Sequence, residues 1–367
     1  PMPAINLRIG ETASTQEGFG RIMTELGRDG GAFARRIVTC SPDVTVSTNL
    51  GGWVNHAGVF ARRARPDVFR EQHLQSAQKW LRTPAGRHIE LGIAENNLFL
   101  LLASLGLAEP LFDTRLLPVG TLYDPFVARG LDALNHACYQ DARFMLAATP
   151  SGITLAPEGG AHQSVIEPLI GMGQPGLTYF EPAFVDEMQA AMAWGFDHMQ
   201  AADGGSVYLR LSTRAIVQPQ RSLTDALRAA IVAGGYWLRP PQAGGELVVV
   251  AMGAALPEAI AAVAQLGERN PRVGLLAVTS PEPALCRLAG ARPPLACRPA
   301  AGGFGPRRDA GQRARRPSTD AGVARRRARP TDQAARRDAV RTVGRHSRSL
   351  PRLRHRRGGD RRRCARW

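Results

Sequence analysis

The chain has 367 residues, 44% of them hydrophobic, which suits two or three ordinary buried cores and excludes a small disulfide scaffold. The longest nearly pure apolar run, residues 98–108, is about half the ~20 residues a bilayer-spanning helix needs, and no basic region followed by an apolar stretch opens the sequence, so it reads as a cytoplasmic, non-secreted protein with no membrane partner. The formal net charge of +16 is concentrated in residues 291–367, which hold 24 Arg, no Lys and no Glu; the rest is mildly acidic, and any basic-partner reading rests on that tail alone.

Ser14-Thr15-Gln16-Glu17 has the S-x-x-E form of a capping box, and Phe19, Ile22, Met23 and Leu26 follow at helical spacing, predicting an amphipathic helix over residues 14–27. Residues 36–40 read as a strand, which Ser41-Pro42-Asp43 turns into a polar loop through Asn49, Gly51 and Gly52. Such a strand-to-loop exit is a usual place for a site. Residues 93–107 are apolar nearly all round, which predicts a buried helix with Glu95 in its first turn. Residues 115–119, 143–149, 176–180 and 206–212 read as strands, separated by helical patterns near 126–140, 164–171 and 183–200. This alternation predicts an α/β domain over residues 1–240, built on a doubly wound, mostly parallel sheet.

After Pro240-Pro241 and Gly244-Gly245 a second α/β unit is expected over 245–286, with a strand at 246–252, a helix at 256–266 and a strand at 273–278. From 287 to 367, Arg, Ala, Pro and Gly leave no helical or strand period, so disorder is expected. With 46 Arg against the single Lys79, the coding DNA reads as GC-rich, and a reading frame shifted near residues 281–295 would yield such text; a genuine basic arm is the alternative. Cys40, Cys138, Cys286, Cys297 and Cys364 are scattered without a C-x-x-C pair or a His at ligand spacing, which predicts free thiols and no metal site.

Three segments carry candidate chemistry: residues 89–97 around Glu95, residues 121–126 with Tyr123 and Phe126, and residues 157–163 with Glu158 and His162. Singly, each has an ordinary explanation. Glu95 suits the dipole at a helix N-terminus, Phe126 suits a core, and His162 after two glycines suits an exposed loop.

Together they resemble the thiamine diphosphate enzymes of the transketolase superfamily. The run from Ser41-Pro42-Asp43-Val44-Thr45 through Gly92-Ile93-Ala94-Glu95-Asn96 to Glu158-Gly159-Gly160-Ala161-His162-Gln163-Ser164 looks like the decarboxylating component of the homodimeric type of pyruvate dehydrogenase. The resemblance spans residues 14–285, and its Gly-x-x-Glu and Glu-Gly-x-x-His elements are shared in form with transketolase.

The resemblance implies a pyrimidine-binding domain in which Glu95 is the carboxylate that hydrogen-bonds the cofactor's ring nitrogen. Phe126, with Tyr123 as the alternative, matches the aromatic face beside the pyrimidine. His162 matches the group that handles the substrate carbonyl, with Glu158 as the acidic residue beside it, and Asp43 and Asn49 lie where the cofactor is approached. The implied reaction is decarboxylation of pyruvate with acetyl transfer to a lipoyl group on an acyltransferase partner. Transketolase-type two-carbon transfer between sugar phosphates is the alternative, with Arg129, Arg143, Arg210 and Arg214 available to a phosphate.

The family holds the diphosphate and Mg²⁺ on a Gly-Asp-Gly domain, and this sequence has no Gly-Asp-Gly. The metal is therefore expected on a domain or diphosphate-binding subunit outside this sequence, with the chain either part of a longer homodimeric enzyme or one of two subunits, weakly active or inactive alone. A rival of another class is nucleic-acid binding through the tail, with affinity that falls steeply with salt; against it, Phe304 and Trp367 are the tail's only aromatics.

Overall fold

The computed structural model describes residues 1–67, 71–76 and 79–281. All of these fall in one of the two units into which the chain divides, Pro1–Pro306, while the other, Arg307–Trp367, lies outside the described residues, as does the whole segment 287–367 for which disorder was expected. In chain order the strands are β1 (Thr12–Ala13), β2 (Ile37–Ser41), β3 (Val59–Phe60), β4 (Arg82–Thr83), β5 (His88–Glu90), β6 (Leu117–Leu122), β7 (Met145–Ala148), β8 (Leu177–Phe180), β9 (Ser206–Arg210), β10 (Ile216–Val217), β11 (Gly235–Arg239), β12 (Val248–Met252) and β13 (Gly274–Val278). The helices are α1 (Thr15–Asp29), α2 (Ala32–Arg35), α3 (Gly51–Ala57), α4 (Glu95–Gly106), α5 (Ala108–Phe112), α6 (Leu131–Tyr139), α7 (Glu167–Gly173), α8 (Val185–His198), α9 (Asp225–Val232) and α10 (Leu256–Arg269).

The main sheet has eight strands in the order β4-β3-β5-β2-β6-β7-β9-β8, every neighbouring pair parallel, so the doubly wound sheet predicted as mostly parallel is wholly so. Alternate residues feed opposite faces. Met145 and Ala147 of β7, and Val207 and Leu209 of β9, pack with Phe19, Ile22, Trp53 and Met192 from α1, α3 and α8. Leu146, Ala148 and Tyr208 point the other way, against Leu98, Phe99, Leu102 and Leu134 from α4 and α6. Each fully buried large side chain in these layers contributes roughly 1.5–3 kcal/mol.

Helix α1 begins as the sequence predicts, with Ser14 Oγ accepting from the Glu17 N–H at 3.1 Å. Only half of the capping box forms, because the Glu17 carboxylate turns instead to Arg21 one turn on. Gly30 closes the helix in the left-handed region at φ 58°. Helix α4 departs from expectation. Leu98, Phe99 and Leu102 are buried, but Leu100 is 49% exposed, because the helix covers one face of the sheet and turns its other side to the surface.

The predicted helix over 126–140 starts later, at Leu131, after a 3-10 segment Asp124–Gly130. Strands β3 and β4 are too short to display an alternation. Strand β11 pairs antiparallel with β13, and β12 pairs parallel with it, so this three-stranded sheet draws on residues from both sides of Pro240-Pro241. Among the described residues no helix is long and apolar enough to cross a membrane.

Candidate active site

Strand β2 lies at the middle of the sheet, flanked by β5 on one side and β6 on the other, so the chain switches direction of travel across it. In an open parallel sheet, a crevice forms at the carboxyl ends of the strands at such a point. Here it is a cleft of about 280 Å³ lined by Pro42, Asp43 and Val44 beyond β2, Ile93 and Glu95 beyond β5, and Tyr123, Phe126 and Arg129 beyond β6. These are segments that the resemblance associates, and the strand order is what brings them together.

Glu95 is the first residue of α4 and is only 8% exposed. Its Oε1 accepts from Arg129 Nη1 at 2.7 Å, and the Arg129 guanidinium lies 3.8 Å from the centre of the Phe126 ring. This approach depends on Gly130. A Cβ there would stand 2.2 Å from Phe99 Cδ2, so only glycine lets the 3-10 segment lie against the start of α4.

Tyr123 and Phe126 are stacked, with ring centres 5.9 Å apart and planes 25° apart. His162 closes the group, 5.4 Å from Phe126 and 6.2 Å from Tyr123 between ring centres. It sits on a loop of short 3-10 turns whose reversal falls on Gly159 (φ 71°) and Gly160 (φ 55°), both in the region that favours glycine. Glu158 Oε2 is 3.6 Å from His162 Nε2. Of the residues singled out from sequence, Glu95, Tyr123, Phe126 and Asp43 line the cleft, and His162 with Glu158 adjoins its aromatic side. Asn49 is not brought in. It adopts φ 63°, packs against Gly20 of α1, and its Nδ2 donates to the Gln16 carbonyl at 3.5 Å.

Two polar networks behind the cleft were not anticipated. In the first, Asp124 is fully buried between Tyr123 and Pro125 and accepts from Tyr208 Oη at 2.7 Å, Arg210 Nε at 2.9 Å and the Ser164 hydroxyl. Arg210 also reaches Glu181 Oε2 at 2.8 Å and Ser164 Oγ at 3.2 Å. Burial opposes the Arg210 charge, but Glu181 and Asp124 outweigh it and hold the guanidinium firmly protonated. Ser164 is two residues beyond His162, so this network ties the histidine loop to the aromatic segment. A sequence signal existed: Tyr208 and Arg210 share one face of a buried strand, where a charge demands a partner.

In the second network, Trp53 Nε1 donates to Thr39 Oγ1 at 2.9 Å, Thr39 Oγ1 meets His88 Nδ1 at 2.9 Å, His88 Nε2 meets Thr45 Oγ1 at 2.9 Å, and Thr45 Oγ1 donates to Glu90 Oε2 at 2.6 Å. An indole N–H can only donate, so Thr39 Oγ1 accepts from Trp53, and the single Thr45 hydroxyl proton goes to Glu90, so Thr45 Oγ1 accepts from His88 Nε2. Glu90 Oε1 also accepts from the Asp43 N–H at 2.7 Å, which pins the cleft wall. Burial pushes the Glu90 carboxyl up, but the bonds from His88, Thr45 and Asp43 outweigh it and hold it below the usual carboxylate range.

Of the four arginines considered for a phosphate, only Arg129 lines the cleft. Arg210 is committed to Asp124 and Glu181, Arg143 to Asp141 and backbone carbonyls, and Arg214 to Glu258. Cys40 is a core residue whose thiol is pushed up by burial. Among the described residues no group of three or more His, Cys, Asp or Glu could hold a metal ion.

The wholly parallel eight-stranded sheet covered by helices has the fold of a transketolase-type α/β domain. The structure aligns with transketolase from Leishmania mexicana at TM-score 0.59 and 18% identity, over 76% of this chain and 36% of that one. It also aligns with a split-gene transketolase described as an inactive beta4 tetramer, at TM-score 0.50 and 20% identity, over 73% of this chain and 72% of that one.

In sequence the chain is similar to transketolases and to a pyruvate dehydrogenase component. It is 27% identical over 247 residues to the pyruvate dehydrogenase E1 component of Mycolicibacterium smegmatis, covering 66% of this chain and 26% of that protein. It is 26% identical over 210 residues to the 6-deoxy-6-sulfo-D-fructose transketolase subunit SqwH of a Clostridium species, covering 57% and 60%, and 24% identical over 196 residues to transketolase 1 of Escherichia coli, covering 53% and 28%. The chain thus spans between 26% and 60% of the length of these relatives. No protein-family model matches it.

Proposed function

We propose that this chain supplies the pyrimidine-binding half of a thiamine diphosphate-dependent active site. The observation that carries this reading is the meeting of Glu95, Phe126 and Tyr123 in one cleft, with His162 beside them. The residues suit an aminopyrimidine: a nearly buried carboxylate to hydrogen-bond a ring nitrogen, and aromatic faces to stack on the ring and exclude water. For the other end of the cofactor the sequence offers no Gly-Asp-Gly. We assign the diphosphate and Mg²⁺ to a partner, either a second copy of a longer chain or a separate diphosphate-binding subunit. The subunit arrangement is favoured by the 60% and 72% coverage of two relatives described as a subunit and as the product of a split gene.

When bound, thiamine diphosphate supplies a carbon nucleophile for the carbonyl carbon of a 2-oxo acid or ketose. Glu95 would hydrogen-bond the pyrimidine nitrogen and so fix the ring. Phe126 and Tyr123 would orient it and keep water away. His162, with Glu158 3.6 Å away, is placed to hold or deliver a proton at the substrate carbonyl oxygen. For the substrate we propose pyruvate, with acetyl transfer to the lipoyl group of an acyltransferase, on the strength of the pyruvate dehydrogenase relative that covers most of this chain. Two-carbon transfer between sugar phosphates is the second reading, favoured by the transketolase relatives.

Calorimetric titration of thiamine into the full chain tests the site: binding by the wild type, lost in Glu95→Gln and weakened in Phe126→Ala, is the expected result, and equal affinity in all three refutes it. With a reconstituted diphosphate-binding partner, turnover of pyruvate against a ketose phosphate separates the two substrate readings.

A further inference from the structure

Arg129 makes the two contacts that the proposed ligand would need. Its guanidinium stacks on Phe126 at 3.8 Å, and its Nη1 bonds Glu95 at 2.7 Å, so one planar cationic group covers the aromatic ring and satisfies the carboxylate together. An aminopyrimidine is also planar and asks the same two residues for the same two contacts. Two planar groups cannot share one stacking position on the ring. The surroundings of Phe126 are otherwise furnished by the protein itself, with Tyr123 stacked at 5.9 Å and His162 at 5.4 Å.

The arginine is also free to leave. Its side chain is 46% exposed, unlike Arg210 at 8%, and ion pairs and ring contacts of such exposure are weak. Gly130 fixes the backbone against Phe99, but the long side chain has solvent beside it to swing into. We propose that Arg129 is a displaceable occupant of the pyrimidine subsite: it covers Phe126 and pairs with Glu95 in the ligand-free chain, and moves to solvent when an aminopyrimidine takes both contacts. This inference rests on the pyrimidine-site reading above, and it makes Arg129 a competitor for the ligand rather than one of its ligands.

Thiamine, which carries the aminopyrimidine without the diphosphate, is the probe, titrated into the full chain and followed by calorimetry or ligand-observed NMR. Arg129→Ala should bind it about tenfold more tightly than the wild type, the gain expected from freeing one weak ion pair and one weak ring contact. Millimolar methylguanidinium should compete with thiamine in Arg129→Ala by refilling the vacated place, and should have little effect on the wild type. Arg129→Met, which keeps the length of the side chain but loses the guanidinium from both Phe126 and Glu95, serves as second variant if truncation disturbs the fold, and should also bind more tightly. Equal or weaker binding in the Arg129 variants, with binding still lost in Glu95→Gln, overturns the inference and leaves the pyrimidine site standing. No thiamine binding by any of the proteins overturns both.

Discussion

Replacing Glu187 by Gln removes a titration that the fold holds far from its ordinary place. Glu187 is 1% exposed near the start of α8, where its Oε2 accepts from the N–H groups of Ala183 at 2.7 Å and Phe184 at 3.2 Å, and its Oε1 accepts from Tyr236 Oη on β11 at 2.5 Å. Burial raises its pKa from 4.5 to about 7, against those three donors. Because the folded value lies above the unfolded one, the native state binds the extra proton, and stability falls as pH rises from about 4.5 through about 7. At about 1.4 kcal/mol per tenfold change in proton affinity, this single group removes roughly 3 kcal/mol over that window. Gln keeps the geometry: its carbonyl can take the two backbone donors, and its NH₂ can donate to the Tyr236 hydroxyl, which is free to turn. Urea unfolding of both proteins at intervals between pH 4.5 and 8 should therefore show the Gln variant gaining on the wild type by roughly 3 kcal/mol as pH rises. Parallel stability profiles would refute the reasoning and mean that the buried carboxyl does not couple the helix to the small sheet through its protonation.

Asp124→Asn keeps the shape of the Tyr208, Arg210 and Ser164 contacts but removes the charge facing Arg210; we expect a loss of about 3 kcal/mol in urea unfolding and faster proteolysis in the loop 151–166, whereas a loss below about 0.5 kcal/mol would show that the network is not held by charge. Gly130→Ala sets a methyl 2.2 Å from a carbon of the fully buried Phe99 ring, and thermal and urea unfolding should register a cost of about 1–3 kcal/mol. Thr45→Val deletes a donor to Glu90, whose carboxyl is held below its usual range by His88, Thr45 and the Asp43 N–H against burial. The stability that this contributes is present above the unfolded carboxyl pKa and is lost as pH falls through the folded one, so the variant should be the less stable at neutral pH and the two proteins should converge in acid. A difference that stays constant with pH would remove Glu90 from the account.

The parts of this fold that could be read from sequence are those whose physics is local. The Phe19, Ile22, Met23 and Leu26 spacing, the Ser14 cap and the apolar β strands each express themselves within one or two turns of chain, and each is where the sequence put it. Strands β3, β4 and β5 contribute only two or three residues apiece, too few to show a period of two, yet they set the sheet order that makes β2 central. The exposed side of α4 was not legible for a different reason: Leu100 is as apolar as the buried Leu98 and Leu102, so composition alone could not say which side the sheet would cover.

The site divides along the same line. Glu95, Phe126 and His162 lie in short motifs, so their resemblance to a known arrangement is visible residue by residue, but the pairing of Glu95 with Arg129 depends on a contact between the start of α4 and the 3-10 segment that only Gly130 permits. Asn49 shows the converse. It lies in the same polar loop as Asp43, yet the backbone reverses at both residues, with φ 64° at Asp43 and 63° at Asn49, and the second reversal carries Asn49 away from the cleft and onto α1. Proximity in a loop is therefore a poor guide when the loop contains left-handed residues, because each one redirects the side chains that follow. The same reasoning applies to His162, where Gly159 and Gly160 provide the reversals and bring the ring back over Phe126. Which loop residues reach the cleft is thus decided by where the backbone turns, and the Asp124 network fixes the turned loop in place by binding Ser164 two residues beyond the histidine.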